Sequence, residues 1–368
     1  KELESILGDP KKVLALIKKD YKALIDRYGD ERRTKVIARA VGDFSQEDLV
    51  PDDPTIVTVT RGGYIKRLAT STYKAQGRGG KGVKGMATKE EDIVDILMAT
   101  TTHSELLFFT NQGRVFATKA YEIPETGRTA KGQALQNFLE LGPEERVTAA
   151  LALSATDSEG QFLVMATRGG VIKKTPRSDF ANIRRSGLKA MNLKDGDTLE
   201  WVHVTTGQDE ILLVTKRGKA IRFSEGDIRS MGRTAAGVKG MALGKKDEVM
   251  GMYVINQKDD SSNEVLVITE NGYGKRTKIA DYRQQKRAGT GIKTANITAK
   301  TGEIAAAVVL EEKSVETTDL IIVTAKGQII RIDAASVSQQ GRDTQGVRVM
   351  RPTEASGPVV TFTTWQEQ

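Results

Sequence analysis

The chain has 368 residues with 56 Lys and Arg against 48 Asp and Glu, a formal net charge of +8; the length suits two domains or one large repeat array, and the charge favours nucleic acid over a metal as partner. Cysteine is absent and histidine occurs only as His103 and His203, which excludes disulfides, thiol nucleophiles, and Cys- or His-rich metal sites. No apolar run nears the ~20 residues of a membrane span and no signal peptide opens the chain, so a soluble cytoplasmic protein is expected, and 36 Gly against 8 Pro suits short strands joined by glycine turns.

Along the chain, Gly8, Asp9 and Pro10 form a helix start signal and Gly29 a stop. Between them Val13, Ile17, Tyr21, Leu24 and Tyr28 share one stripe, with Lys11, Lys18, Lys22 and Asp26 elsewhere. A lone helix cannot bury that stripe, so residues 1–33 read as the end of a helical arm whose partner lies upstream, or as a brace against the next domain. Residues 34–41 look like a short strand and 42–54 like an acidic linker carrying Asp43, Glu47, Asp48, Asp52 and Asp53.

From residue 55 the chain repeats itself. Apolar runs end in Thr60, Thr110, Thr167, Thr215, Thr269 and Thr324, each with a glycine three residues on, and those glycines are spaced 50, 57, 48, 54 and 55 residues apart. The runs are nearly continuous Leu, Ile, Val and Phe, the pattern of strands buried on both faces, and the glycines sit where tight hairpins need positive φ. A second glycine follows 19 residues later at Gly82, Gly132, Gly237, Gly291 and Gly346, and 17 later at Gly187. Further strands are expected at 93–98, 147–153, 199–204, 249–255, 304–310 and 359–365. Six such repeats indicate blades arranged around an axis, at about 55–103, 104–155, 156–207, 208–260, 261–314 and 315–368. A linear β-solenoid is the alternative, and residues 34–41 are a candidate for completing the last blade.

Positive charge recurs at three places in the repeat. Four residues beyond the first glycine stand Arg67, Lys174, Arg222, Arg276 and Arg331, with Ala117 the exception. Four before the second glycine stand Arg78, Arg128, Arg233, Arg287 and Arg342, with Arg184 and Arg185 beside that place in the shortened third repeat. Two after it come Lys84, Lys189, Lys239, Lys293 and Arg348, with Ala134 the exception. Strand packing asks for no cation at matching positions, whereas evenly spaced phosphates do. The set is therefore read as backbone contacts to bent duplex DNA, made without reading sequence. One loop stands apart: Gln76, Gly77, Arg78, Gly79, Gly80, Lys81 and Gly82 pack four glycines and two cations into seven residues, so bare N–H groups can approach an anion. It lacks the Lys and Ser or Thr that would make it a nucleotide-binding P-loop.

These residues resemble the C-terminal domain of the A subunit of bacterial DNA gyrase. Residues 76–82 are similar to that family's diagnostic box, with Gly77 where the family usually has Arg. Further similar stretches begin at Asp30, Asn271 and Gly341, and the resemblance covers essentially the whole chain. It implies an all-β fold, a six-bladed β-pinwheel of four-stranded blades exchanging strands, preceded by a short α-helical segment that ends a coiled-coil arm. It implies right-handed wrapping of duplex DNA around a basic rim, the box completing the wrap. A segment of that DNA would be presented for ATP-driven strand passage and negative supercoiling. The implied partners are double-stranded DNA and the rest of the gyrase A subunit with the B subunit, two of each, near the bacterial nucleoid, with no membrane. ATP and magnesium would be used by other parts of the parent enzyme, leaving no cofactor, metal or catalytic site here. Gly77, Ala117 and Ala134 each remove a cation and bear on wrapping strength.

Neither histidine has a triad neighbour, and each is expected on a strand rather than as a base; the acidic pairs at 90–91, 259–260 and 311–312 fall in loops. Two alternatives remain. The equivalent domain of topoisomerase IV is disfavoured by six repeats and a nearly intact box, and a protein-binding propeller would bind DNA weakly or without topological change.

Overall fold

The computed structural model describes residues 2–29, 46–60, 62–69, 94–127, 130–153, 161–256, 263–326 and 328–366. They divide into two units, 1–49 and 50–368. In the first, α1 spans Glu2–Leu7 and α2 spans Pro10–Tyr28, the helix the sequence predicts. Asp9 accepts a bond from the Lys11 N–H at 2.9 Å and Pro10 occupies the first turn, so the start signal works as its chemistry requires. Ile17, Tyr21, Leu24 and Tyr28 are exposed. The strand expected at 34–41 lies outside the described residues; of the linker, Gln46–Leu49 forms one 3-10 turn.

The second unit is a six-bladed β-propeller of antiparallel sheets, five of four strands and one of three among the described residues. Three strands of each blade come from one repeat. The first strands are Pro54–Thr60, Glu105–Thr110, Phe162–Thr167, Glu210–Thr215, Glu264–Thr269 and Thr318–Thr324. The second are Tyr64–Ala69, Arg114–Lys119, Val171–Pro176, Lys219–Ser224, Tyr273–Lys278 and Ile329–Asp333. The third are Val94–Thr101, Val147–Leu153, Leu199–Thr205, Val249–Ile255, Ile304–Leu310 and Val359–Gln366. The fourth is a two-residue strand supplied by the following repeat: Gln133–Ala134, Leu188–Lys189, Val238–Lys239, Ile292–Lys293 and Val347–Arg348 close the first five sheets on their second strands.

Third strands of neighbouring blades touch one another from the first blade to the sixth. They are therefore innermost, and the exchanged strands, at the opposite edge of each sheet, form the rim. The repeated threonine makes each hairpin: its hydroxyl accepts from the N–H just past the glycine, as in Tyr64 to Thr60 at 3.1 Å, Lys219 to Thr215 at 3.2 Å and Gln328 to Thr324 at 3.0 Å. The second glycine permits the exchange. At Gly237, φ is +85° and a Cβ would stand 2.7 Å from the Ile172 carbonyl oxygen; at Gly291, φ is +68° and the Ala220 oxygen would be 2.5 Å away, so any other residue would push the crossing segment off the sheet.

The core lies between blades, which explains the unbroken apolar runs. On one strand Leu212 and Val214 pack with Val265 and Val267 of the next blade, while Ile211 and Leu213 pack with Val164 and Ala166 of the preceding one. All four are fully buried. A second tie links blades at the ends of the innermost strands, where Glu200 pairs with Arg146 and Arg168, Glu248 with Arg168 and Lys216, and Glu303 with Lys216 and Arg217, at 3.1–3.9 Å. Leu213→Ala is expected to cost about 3 kcal/mol, transfer loss plus cavity, in urea unfolding; a cost below about 1 kcal/mol would contradict a core shared between blades.

Candidate nucleic-acid interface

The structure separates the recurring cations into two groups. Of those four residues past the hairpin glycine, Arg67, Lys174, Arg222 and Arg276 are buried or half-buried and engaged within the protein, while Arg331 in the last repeat is exposed. Lys174 is buried, donates to the Glu225 carbonyl at 3.1 Å and lies 3.7 Å from the fully buried Glu225 carboxylate. Arg222 donates to Glu210 at 2.5 Å and to the Ile279 and Tyr282 carbonyls. Arg276 meets the buried Glu264 at 2.5 Å and the Val337 carbonyl at 2.7 Å. Arg67 reaches the Ile123 carbonyl at 3.2 Å and Glu125 at 3.1 Å, and Arg331 joins Asp319 at 2.5 Å while covering the Trp365 ring.

The backbone explains this placement. At that position the following repeat crosses the second strand, forming single parallel bridges such as Arg67 with Glu125 and Arg276 with Gln339. The cation is thereby covered by the next repeat, and desolvation is offset only by a carboxylate or a ring of carbonyls. The geometry gives Arg67, Lys174, Arg222 and Arg276 a role in joining blade to blade, whereas Arg331 pairs within its own blade.

The second group is exposed and lies on the rim. Lys189, Lys239, Lys293 and Arg348 each occupy the second position of an exchanged strand in four consecutive sheets, and all four are exposed. Arg348 stands 4.7 Å over the Tyr273 ring and also bonds its hydroxyl. Arg184 and Arg185 are exposed in the loop leading into the same kind of strand. The loop arginines are half-buried and stitch the rim together: Arg287 donates to the Lys239 carbonyl at 3.1 Å and to the Asp227 carbonyl at 2.9 Å, and Arg342 donates to the Lys293 carbonyl at 3.3 Å. Arg233 is half-buried in the equivalent loop. The exposed Arg229 and Arg283, each eleven residues past a hairpin glycine, and Lys286 were missed from sequence; that offset carries a cation in only half of the repeats, with Pro124, Ala181 and Ser338 in the others.

The box residues Gln76, Gly77, Arg78, Gly79, Gly80, Lys81 and Gly82, together with Lys84 and Arg128, lie outside the described residues, as do the acidic pairs at 90–91 and 259–260. His203 lies on an innermost strand, where burial holds its imidazole below the usual range. His103 is in a turn, not on the expected strand, with Nε2 at 2.7 Å from the Val50 carbonyl oxygen. Among the described residues no group of three or more acidic or imidazole side chains is placed to hold a metal ion, and no helix is long and apolar enough to cross a membrane.

The family model of the DNA gyrase C-terminal domain, β-propeller, matches residues 54–100, 104–154, 161–206, 209–256, 263–311 and 318–362, one match per blade. The chain belongs to this family. It is 45% identical over 350 residues to the DNA gyrase A subunit of Staphylococcus aureus (strain MRSA252) and 44% over 351 residues to that of Staphylococcus epidermidis, in each case over 95% of this chain. It spans 39% of the length of those relatives. Among solved structures, the C-terminal domain of DNA topoisomerase IV aligns at TM-score 0.72 and 28% identity over 86% of this chain and 95% of that one. A DNA gyrase A C-terminal domain aligns at 0.66 and 26% over 85% and 100%. For this gyrase-type propeller the two groups of cations predict opposite phenotypes. Arg276→Ala strands the buried Glu264 and is expected to cost about 3 kcal/mol in chemical denaturation, whereas Lys293→Ala is expected to stay within about 0.5 kcal/mol; similar costs for both would contradict the division.

Proposed function

We propose that the chain binds duplex DNA through its phosphates and wraps it around the rim, without reading sequence. The observation that carries this reading is the line of exposed cations Lys189, Lys239, Lys293 and Arg348, placed at one position in four consecutive sheets. Neighbouring blades repeat the same geometry, so equivalent cations meet successive stretches of one backbone. Duplex DNA bends reluctantly, and bending it along a rim of this kind must be offset by contacts added with each blade. Arg184, Arg185 and the loop arginines at 233, 287 and 342 extend the positive surface, and residues 76–82 with Lys84 are the proposed site where the wrap is completed. The family supports right-handed wrapping that presents a DNA segment for ATP-dependent strand passage. Partners in that work are the remainder of a gyrase A subunit together with a B subunit, which would also supply the ATP and magnesium chemistry.

A second reading has a specific observation behind it: the topoisomerase IV domain aligns at the higher TM-score, 0.72 against 0.66. That reading keeps DNA binding and gives up the strong chiral wrap. For either, the binding constant should fall steeply with salt, by about 0.9 log units per log unit of salt for each phosphate neutralised. Lys189→Ala, Lys239→Ala and Lys293→Ala should each lower that slope by about one and weaken unrelated DNA sequences alike. An unchanged slope in all three, measured by titration of labelled duplex, would remove these residues from the interface.

A further inference from the structure

Beneath the rim loops, the residue three positions past each hairpin glycine alternates around the propeller. It is Lys66, Lys173 and Lys275 in the first, third and fifth blades, and Phe116, Ile221 and Ile330 in the second, fourth and sixth. The three lysines are 1%, 0% and 1% exposed. A buried ammonium is costly unless its N–H groups find acceptors, and the segments running into and out of the exchanged strands supply them. Lys173 Nζ donates to the carbonyls of Ala190, at 2.6 Å, and Arg233. Lys275 Nζ donates to the carbonyls of Gly341 and Arg342, at 2.6 and 2.5 Å, and to Thr344 Oγ1 at 3.2 Å. Lys66 Nζ donates to the Ala130 carbonyl at 3.0 Å. In the second and fourth blades the same loops rest on hydrocarbon: a Cβ on Gly187 would come within 2.8 Å of the Phe116 ring, and one on Gly289 within 3.3 Å of Ile221 Cδ1.

We propose that Lys173 and Lys275 are positioning residues for DNA: each holds the arginine loop of its rim segment by the backbone carbonyls and places a proton-dependent charge beneath the bound strand, so that alternate blades grip DNA according to pH. This rests on the DNA-binding reading above. Burial brings Lys173 down to about 8, with Asp179, in the turn after its strand, acting upward and Arg233, in the loop, downward. Burial likewise brings Lys275 to about 8, with Asp343 acting upward and Arg342 downward, both from the loop above it. A phosphate approaching the loop favours the ammonium form. Binding then takes up protons, and affinity falls as pH rises through about 8.

A neutral amine also has two hydrogens to donate rather than three, so the loop over Lys275 loses a bond. Stability moves the other way. Between about 8 and the ordinary 10.5 the unfolded chain holds protons that the folded chain has released, so these lysines add stability as pH rises. A loss of affinity across that window is therefore not a loss of fold.

The test is the Kd of the 368-residue chain for a duplex of about 150 base pairs, at fixed ionic strength. It compares the unsubstituted protein with K173I/K275I, which copies the residue of the fourth and sixth blades. If DNA raises each ammonium by about one unit, affinity falls about fivefold per lysine, about 25-fold for both, from about pH 7 to about pH 9. The variant should change by less than about twofold. Equal falls in both proteins overturn the inference while leaving DNA binding standing; no binding by the unsubstituted chain at about pH 7 sinks the DNA reading and this inference with it. Should K173I/K275I fail to fold, lysine side-chain NMR on the unsubstituted chain decides. Two lysines titrating near 8 and moving upward on addition of the duplex support the proposal; titration at the ordinary value, or no movement with DNA, overturns it.

Discussion

A three-stranded sheet leaves one row of backbone N–H and C=O groups open, and in this propeller two residues of the next repeat close it in each of the first five blades. The rest of the structure depends on that exchange. The closing strand ties each blade to its successor, and the crossing segment beside it covers the cation four residues past the hairpin. Because the closing strand is also the outermost, its second residue is held at the rim by hydrogen bonds made for a structural reason. A cation placed there inherits the spacing of the blades. Backbone satisfaction and a regular line of charge are thus one construction, and the left-handed glycine before each exchanged strand is the point on which both turn.

Charge is accordingly divided by depth. Inner cations meet buried carboxylates such as Glu225 and Glu264, where desolvation would otherwise cost more than the attraction returns. Outer cations stay solvated and available to a polyanion, where counterion release makes them effective. The ion pairs running from Arg146 to Glu303 at the ends of the innermost strands join blades without drawing on the rim's charge.

Much of this was legible because it is periodic. The hairpin threonines, the glycine intervals and the third strands at 147–153, 249–255 and 304–310 coincide with the structure residue for residue, since continuous apolar runs between glycine turns have few other ways to be buried. Periodicity cannot say which recurring cation faces water. Arg222 and Arg276 recur as regularly as Lys239 and Lys293, yet each lies on an acid twelve residues upstream, Glu210 and Glu264. That offset was readable as a signal of internal pairing. Lysine inside a strand ordinarily means an exposed side chain, so Lys66, Lys173 and Lys275 gave no sign by residue type that they lie beneath the rim loops. Their alternation with Phe and Ile was visible, but its meaning needed the crossing loop that supplies their acceptors.

The central claim is that a regular rim of charge bends DNA with a defined hand. Its most direct test is to incubate the chain with nicked plasmid at low salt, seal the nick with ligase, remove the protein and resolve the topoisomers with their sign. The account predicts a shift to positive linking difference that grows with protein ratio. DNA retarded on a gel with no topological shift at any ratio would contradict chiral wrapping and leave a basic propeller that binds DNA without winding it.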